Sequence, residues 1–119
     1  MAIEITLDID DHSAEVLRAL KSAVHRGLRS IGTNAVSHAR EYVTQEHRID
    51  TGNMRRSITH NENSVGSVLY TMVGTDVYYA VYQELGTSTG IKPAYFLTRA
   101  ARDHTDEYKD LMMESIENA

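Results

Sequence analysis

The sequence contains no cysteine. Disulfides and thiolate metal sites are therefore excluded, and such a chain suits a reducing cytosol or a particle that must persist outside a cell without redox chemistry. No apolar run approaches the roughly 20 residues that a membrane span needs, so no membrane partner is expected. The opening residues, Met1-Ala2-Ile3-Glu4-Ile5-Thr6-Leu7-Asp8, carry no basic stretch and no cleavage site, and a secretory signal is not expected. Internal repeats and low-complexity segments are also lacking. The 119 residues, 41% hydrophobic and 24% charged, read as a single soluble domain, 1–119, with one modest core.

The net charge of −5 argues against a general nucleic-acid binder. Its distribution is uneven. Residues 1–17 hold five acids and no bases, residues 18–56 hold eight Lys/Arg against three acids, and residues 57–119 hold four against nine. The plain reading is that solvated faces differ by chance. The sharper reading is a subunit with a basic and an acidic pole, suited to stacking on copies of itself.

Residues 3–9 alternate apolar and polar, which predicts a half-buried strand. A helical pattern follows over about 13–46, with Val16, Leu20, Val24, Leu28, Ile31, Ala35, Ala39 and Tyr42 on one stripe. Gly27 and Gly32 each cost about 1 kcal/mol relative to alanine, so a break near 27–34 is the alternative to one continuous helix. Asp50-Thr51-Gly52 signals a turn. Residues 57–62 and 65–74 read as two strands joined through Asn61, Asn63 and Ser64. Residues 77–85 predict a short helix with Gly86 as its C-cap, then a flexible polar loop over 86–90. Pro93 sits where helices begin, and Leu97, Ala101, His104, Tyr108, Leu111 and Ser115 space as one helical face. The fold class is α+β: a long N-terminal helix and a C-terminal helix on one face of a small antiparallel sheet.

Chemistry is hard to find. Asp50-Thr51-Gly52 spells the triplet of dimeric aspartic proteases, but polar Gln45-Glu46-His47-Arg48 precedes it and Asn53-Met54-Arg55-Arg56 follows, where that site needs apolar strand and small residues. Gly86-Thr87-Ser88-Thr89-Gly90-Ile91-Lys92 has the wrong spacing for a phosphate loop. None of the six histidines forms an i, i+4 pair, and His104, on an apolar helical face, reads as a satisfied core histidine. No catalytic, metal or cofactor residue is expected. Of the clustered tyrosines Tyr70, Tyr78, Tyr79 and Tyr82, Tyr79 and Tyr82 are the better interface candidates. The alternatives are the dimeric protease and a small regulator binding nucleic acid through residues 18–56.

Three stretches, in order, resemble the small tail-component family of long-tailed bacteriophages, labelled after gene product ten of a lambda-like coliphage. They are Asp50-Thr-Gly-Asn-Met-Arg-Arg-Ser-Ile58, Tyr79-Ala-Val-Tyr-Gln-Glu-Leu-Gly-Thr87 and Pro93-Ala-Tyr-Phe-Leu-Thr-Arg-Ala100. The resemblance covers most of residues 13–116 and leaves the strand at 3–9 unmatched. Leu85 stands where the family more often has Phe or His. The loop Ser88–Lys92 is shorter and less basic than the family's.

The resemblance implies a structural virion protein, not an enzyme, acting in head–tail joining or tail completion. It implies a ring subunit, expected to be hexameric, at the neck or upper tail, assembled in the host cytoplasm. Its partners would be copies of itself and head-closure, tail-terminator or tail-tube proteins, with DNA passing through the ring but no specific nucleic-acid recognition. The expected structural motif residues are Asp50, Thr51, Gly52, Arg55, Ser57, Gly86, Thr87 and Pro93. The expected partner contacts are Tyr79, Tyr82, Glu84, Ser88, Thr89 and Lys92, with Glu84 also able to pair with Arg55 or Arg56.

Overall fold

The computed structural model describes residues 1–8, 14–46 and 52–118. Strand β1 (Ala2–Asp8) precedes helix α1 (Ala14–Gln45) and the short helix α2 (Asn53–Ser57). Strands β2 (Thr59–Val65) and β3 (Val68–Gly74) follow, then helices α3 (Ala80–Leu85), α4 (Phe96–Arg102) and α5 (Thr105–Glu117). The fold is α+β, as the patterning predicts.

The three strands form one antiparallel sheet in the order β1-β3-β2, with the hairpin partner between the other two. Ile3 lies opposite Val73 and Ile5 opposite Thr71, so alternation puts these residues on one face with Leu69. That face packs under α1, and Leu69, Thr71 and Val73 are buried. The opposite face carries Val68, Tyr70 and Met72, half-buried and without a covering helix among the described residues.

Helix α1 runs unbroken for 32 residues, about 48 Å at 1.5 Å per residue. Its buried stripe is Ala23, Val24, Leu28, Ile31, Ala35, Val36, Ala39 and Val43, at the predicted helical spacing. Gly27 and Gly32 do not break it, because each sits where another element comes close. A Cβ at Gly27 would lie 2.7 Å from Met112 Sδ on α5, and one at Gly32 would lie 2.7 Å from both His60 Nδ1 and Thr71 Oγ1 of the sheet. Helix α4 packs on α1 and β1, and α5 runs back along α1.

Four boundaries differ from the sequence reading. The residues before Ile58 form α2, so Ser57 is helical and β2 is Thr59–Val65 instead of 57–62. The hairpin turns at Gly66-Ser67, not at Asn61, Asn63 and Ser64, because Gly66 supplies the left-handed φ of 61° that a two-residue turn needs. Helix α3 starts at Ala80, not 77. The last helix begins at Phe96 instead of Pro93 and divides at Asp103-His104, where His104 leaves helical geometry at φ −126°, ψ 29°.

Among the described residues the basic and acidic blocks meet along one helix contact. Ser115 Oγ donates to Ala23 O at 2.6 Å, and Arg26 and Glu114 line one shallow depression, so the acidic α5 lies alongside the basic first half of α1. Arg40, also in the basic block, is turned to backbone carbonyls.

Candidate functional site

The corner between α3 and α4 is built on a buried carboxylate. Helix α4 has Tyr95 as its N-cap residue, whose side chain makes no capping bond. Its first amides need acceptors all the same. Glu84, on α3 and 0% exposed, supplies them: Oε2 accepts from Leu97 N–H at 3.0 Å and Oε1 from Thr98 N–H at 2.9 Å. The carboxylate thus performs the N-cap role from another helix, at the positive end of the dipole. The sequence reading placed Glu84 among the partner contacts; within the subunit its carboxylate is enclosed and directed at the start of α4.

Backbone bonds complete the corner. Gln83 O accepts from Ala94 N–H at 2.8 Å, and Glu84 O accepts from Tyr95 N–H at 3.2 Å. Gly86 ends α3 at φ 76°, and a Cβ there would lie 2.8 Å from Ile91 O and from Pro93 Cδ. Only glycine satisfies both constraints. The loop beyond is closed on itself rather than loose: Thr87 N–H donates to Ile91 O at 2.9 Å, and Ile91 N–H donates to Thr87 Oγ1 at 3.1 Å.

This corner turns apolar side chains outward. Tyr78 is 83% exposed and Leu85 53%, and Val81, Tyr82, Ile91 and Tyr95 are exposed as well. Tyr95 holds φ 50°, ψ 39°, a left-handed conformation uncommon for a residue with a Cβ. Among the expected partner contacts, Tyr82, Ser88, Thr89 and Lys92 lie at the surface. Tyr79 is half-buried against the core, its ring edge-on to Tyr78 with centroids 5.5 Å apart. Tyr78, not Tyr79, is therefore the more available ring of the pair. Its place just before α3 was not readable from helical spacing that assumed a start at 77.

Asp50 and Thr51 lie outside the described residues. Gly52 has φ 74° and opens α2, its carbonyl accepting from Arg56 N–H at 3.0 Å. Ser57 Oγ donates to Met54 O at 2.6 Å and also meets Thr75 Oγ1. The side chain of Arg55 is exposed, while its carbonyl accepts from Arg40 Nε at 3.2 Å. Arg40 also donates to Ile58 O at 3.0 Å, so it satisfies the C-terminal end of α2 from α1. No local sequence signal connects residues 18 apart, and Arg40 was missed for that reason.

Between α1 and the α4–α5 junction sits a cluster of rings. His38 and His104 stack with centroids 3.5 Å apart and planes 3° from parallel. Tyr42 Oη lies 2.8 Å from His104 Nε2, and the Arg99 guanidinium sits 4.0 Å from the Tyr42 ring centroid. His104 is thus partnered, but it lies half-buried at the edge of the core and not within it, as the sequence reading had placed it. Tyr108 is buried with its hydroxyl donating to Ala100 O, and burial, then Glu107 and Tyr42, raise its pKa above the usual tyrosine value. His38, His104 and Glu107 are the described residues whose side chains converge as metal ligands do.

No helix among the described residues is long and apolar enough to cross a membrane. No curated protein and no solved structure matches the chain. The profile of the bacteriophage HK97-gp10 tail-component family matches residues 4–86, more than half of the sequence. The match runs from β1 to Gly86, so it includes the N-terminal strand that the motif resemblance left out and stops before Pro93–Ala100, which that resemblance included. On that match, the chain belongs to the bacteriophage HK97-gp10 family of tail components.

Proposed function

We propose that this tail component acts in head–tail joining or tail completion, as one subunit of a ring at the neck or upper tail of the virion, and not as an enzyme. Family membership carries the reading. The outward row of Tyr78, Val81, Tyr82, Leu85, Ile91 and Tyr95 supports it, since apolar side chains grouped on a rigid corner are what a protein partner covers. The partner we assign to the row is the next copy of the chain. A ring needs a heterologous contact, in which two different faces of one subunit meet. The second face is the side of the sheet without a covering helix among the described residues, where Val68, Tyr70 and Met72 supply apolar area beside Thr6, Asn61 and Asn63, with the one described charge at Glu4 opposite Met72. A ring expected to be hexameric then contacts head-closure, tail-terminator or tail-tube proteins along its axis, and assembly takes place in the host cytoplasm.

Deleting the gene from its phage tests this. Filled heads and tails that fail to join, or unfinished tails, are the expected particles, and a copy carrying Tyr82→Ser with Leu85→Asp should not rescue them. Normal infectious particles from the deletion would overturn the reading.

A further inference from the structure

The pairing of His38, His104 and Glu107 has a geometry that sequence spacing concealed. His38 lies on α1, whereas His104 and Glu107 flank the start of α5, 66 and 69 residues later. The division of the last helix brings them together. His104 departs from helical geometry just before α5, and Glu107 follows in its first turn, so both face His38 across the helix contact. Glu107 Oε2 lies 2.7 Å from His38 Nε2 and 3.6 Å from His104 Nδ1. One ligand atom from each residue falls within 4.8 Å of the other two.

We propose that these three side chains form a site for one divalent transition-metal ion of the zinc class, bridging α1 and α5. Two imidazole nitrogens and a carboxylate oxygen are the donor set that zinc, cobalt(II) and nickel(II) accept. Metal–ligand bonds of 2.0–2.2 Å place tetrahedral ligand atoms about 3.4 Å apart. The His104–Glu107 separation of 3.6 Å meets this. The His38–Glu107 separation of 2.7 Å is a hydrogen bond, which the ion widens by about 0.7 Å as it takes the proton's place. The two parallel rings splay as their nitrogens turn toward one centre, and Glu107, with a side chain 40% exposed, has room to move with them.

A supporting residue is already in position. Tyr42, one helical turn beyond His38 on α1, holds His104 Nε2 at 2.8 Å. That contact leaves Nδ1 as the nitrogen facing Glu107, which is the outer-shell arrangement that orients a metal-bound histidine. Three protein ligands leave a fourth position for water, as the partial exposure of the cluster allows. Binding exchanges a proton for the ion, so uptake weakens as the solution becomes more acidic. The site joins two helices within one subunit, and its presence does not depend on the ring.

The test is titration of the purified full chain with zinc chloride, followed by thermal unfolding, and with cobalt(II) chloride followed by visible absorption. Expected are one ion per chain, a raised unfolding temperature and the intense visible bands of low-symmetry four-coordinate cobalt(II). Glu107→Gln and His38→Gln should each weaken zinc binding at least tenfold. His25→Gln and His60→Gln, which alter histidines outside the cluster, should leave it unchanged. The exposed position of Glu107 lets Glu107→Gln retain the native helical circular dichroism, so loss of a ligand is separable from loss of the fold. No stoichiometric uptake, or uptake equal to wild type in both Glu107→Gln and His38→Gln, would overturn the assignment.

Discussion

Along α1, burial is conventional: Ala23, Val24, Leu28, Ile31, Ala35, Ala39 and Val43 point inward and the charged side chains Arg18, Lys21, Arg26 and Arg29 point out. The α3–α4 corner also buries apolar side chains, Ala80, Ala94, Phe96 and Leu97, but its polarity is mixed. A carboxylate, Glu84, lies fully buried, while Tyr78, Tyr82, Leu85, Ile91 and Tyr95 face solvent. The difference shows two ways of fixing a segment. The long helix is held by apolar area removed from water, a term proportional to the surface its stripe covers. The corner adds directed bonds from one acidic group to the burial of Phe96 and Leu97, and leaves its outer apolar side chains available for another molecule. Stability and association are then assigned to different residues of the same short stretch.

The largest loss of stability is expected from Glu84→Ala. It removes acceptors from Leu97 N–H and Thr98 N–H, and the first of these bonds is buried. We expect a loss of about 3 kcal/mol, as for a charged cap whose donors are left without partners. Glu84→Gln, which keeps one carbonyl acceptor, should lie between. Urea midpoints give the measurement, and a loss under about 1 kcal/mol for the alanine variant would show that packing, not the cap, holds the corner.

The second test lies inside α1 and compares its two glycines. Alanine at either position gains about 1 kcal/mol of helix propensity. At Gly27 the new methyl meets the flexible end of Met112, 2.7 Å away, which can swing aside, and Ser115 Cβ at 3.2 Å, which must give by a few tenths of an ångström, so the net effect should be near zero. At Gly32 it meets the His60 ring and Thr71 Oγ1. Both are anchored to Glu62, His60 Nδ1 at 2.6 Å and Thr71 Oγ1 at 2.9 Å, so neither yields freely. Gly32→Ala should cost about 2 kcal/mol net, in the range of overpacked cores. Equal thermal midpoints for the two variants would mean that α1 slides over the sheet without cost.

What the sequence made legible follows the same division. The strand at 3–9 and the helix at 13–46 were readable because each buries one face, and one-sided burial imposes a period on the residues. The stretch with the mixed pattern was read less well. Glu84 looked like a surface acid because nothing local says that the amides 13 and 14 residues further on need an acceptor. Pro93 looked like a helix start, yet Tyr95 in a left-handed conformation delays α4 to Phe96. The Asn61–Ser64 turn was a composition signal outweighed by Gly66, whose positive φ suits the tighter turn. The histidine cluster had no signal, because its members are distant in sequence and meet only through the packing of α5 on α1.

The smallest effect on stability should come from the surface that we propose meets the next copy of the chain. Tyr82 is 49% exposed and Leu85 53%, so truncating both returns little apolar area to water. Their backbone bonds persist in any variant: Tyr82 N–H donates to Tyr79 O at 3.2 Å, and Gly86 N–H donates to Tyr82 O at 2.8 Å. Serine also lowers helix propensity, but α3 is only six residues long and is held at its end by Gly86 and through Glu84. The Tyr82→Ser, Leu85→Ser double variant should therefore unfold within about 0.5 kcal/mol of the parent, the usual range for surface changes. Association should respond differently, because a few apolar anchors carry most of an interface's free energy. If the proposed ring forms through this corner, native mass measurement at high protein concentration, or assembly on purified tails, should show it in the parent and not in the variant. Coincident unfolding curves with lost assembly would confirm that the corner keeps its two tasks apart. A destabilisation above about 1.5 kcal/mol would mean that the exposed row also supports the fold, and that the contrast with α1 is one of degree.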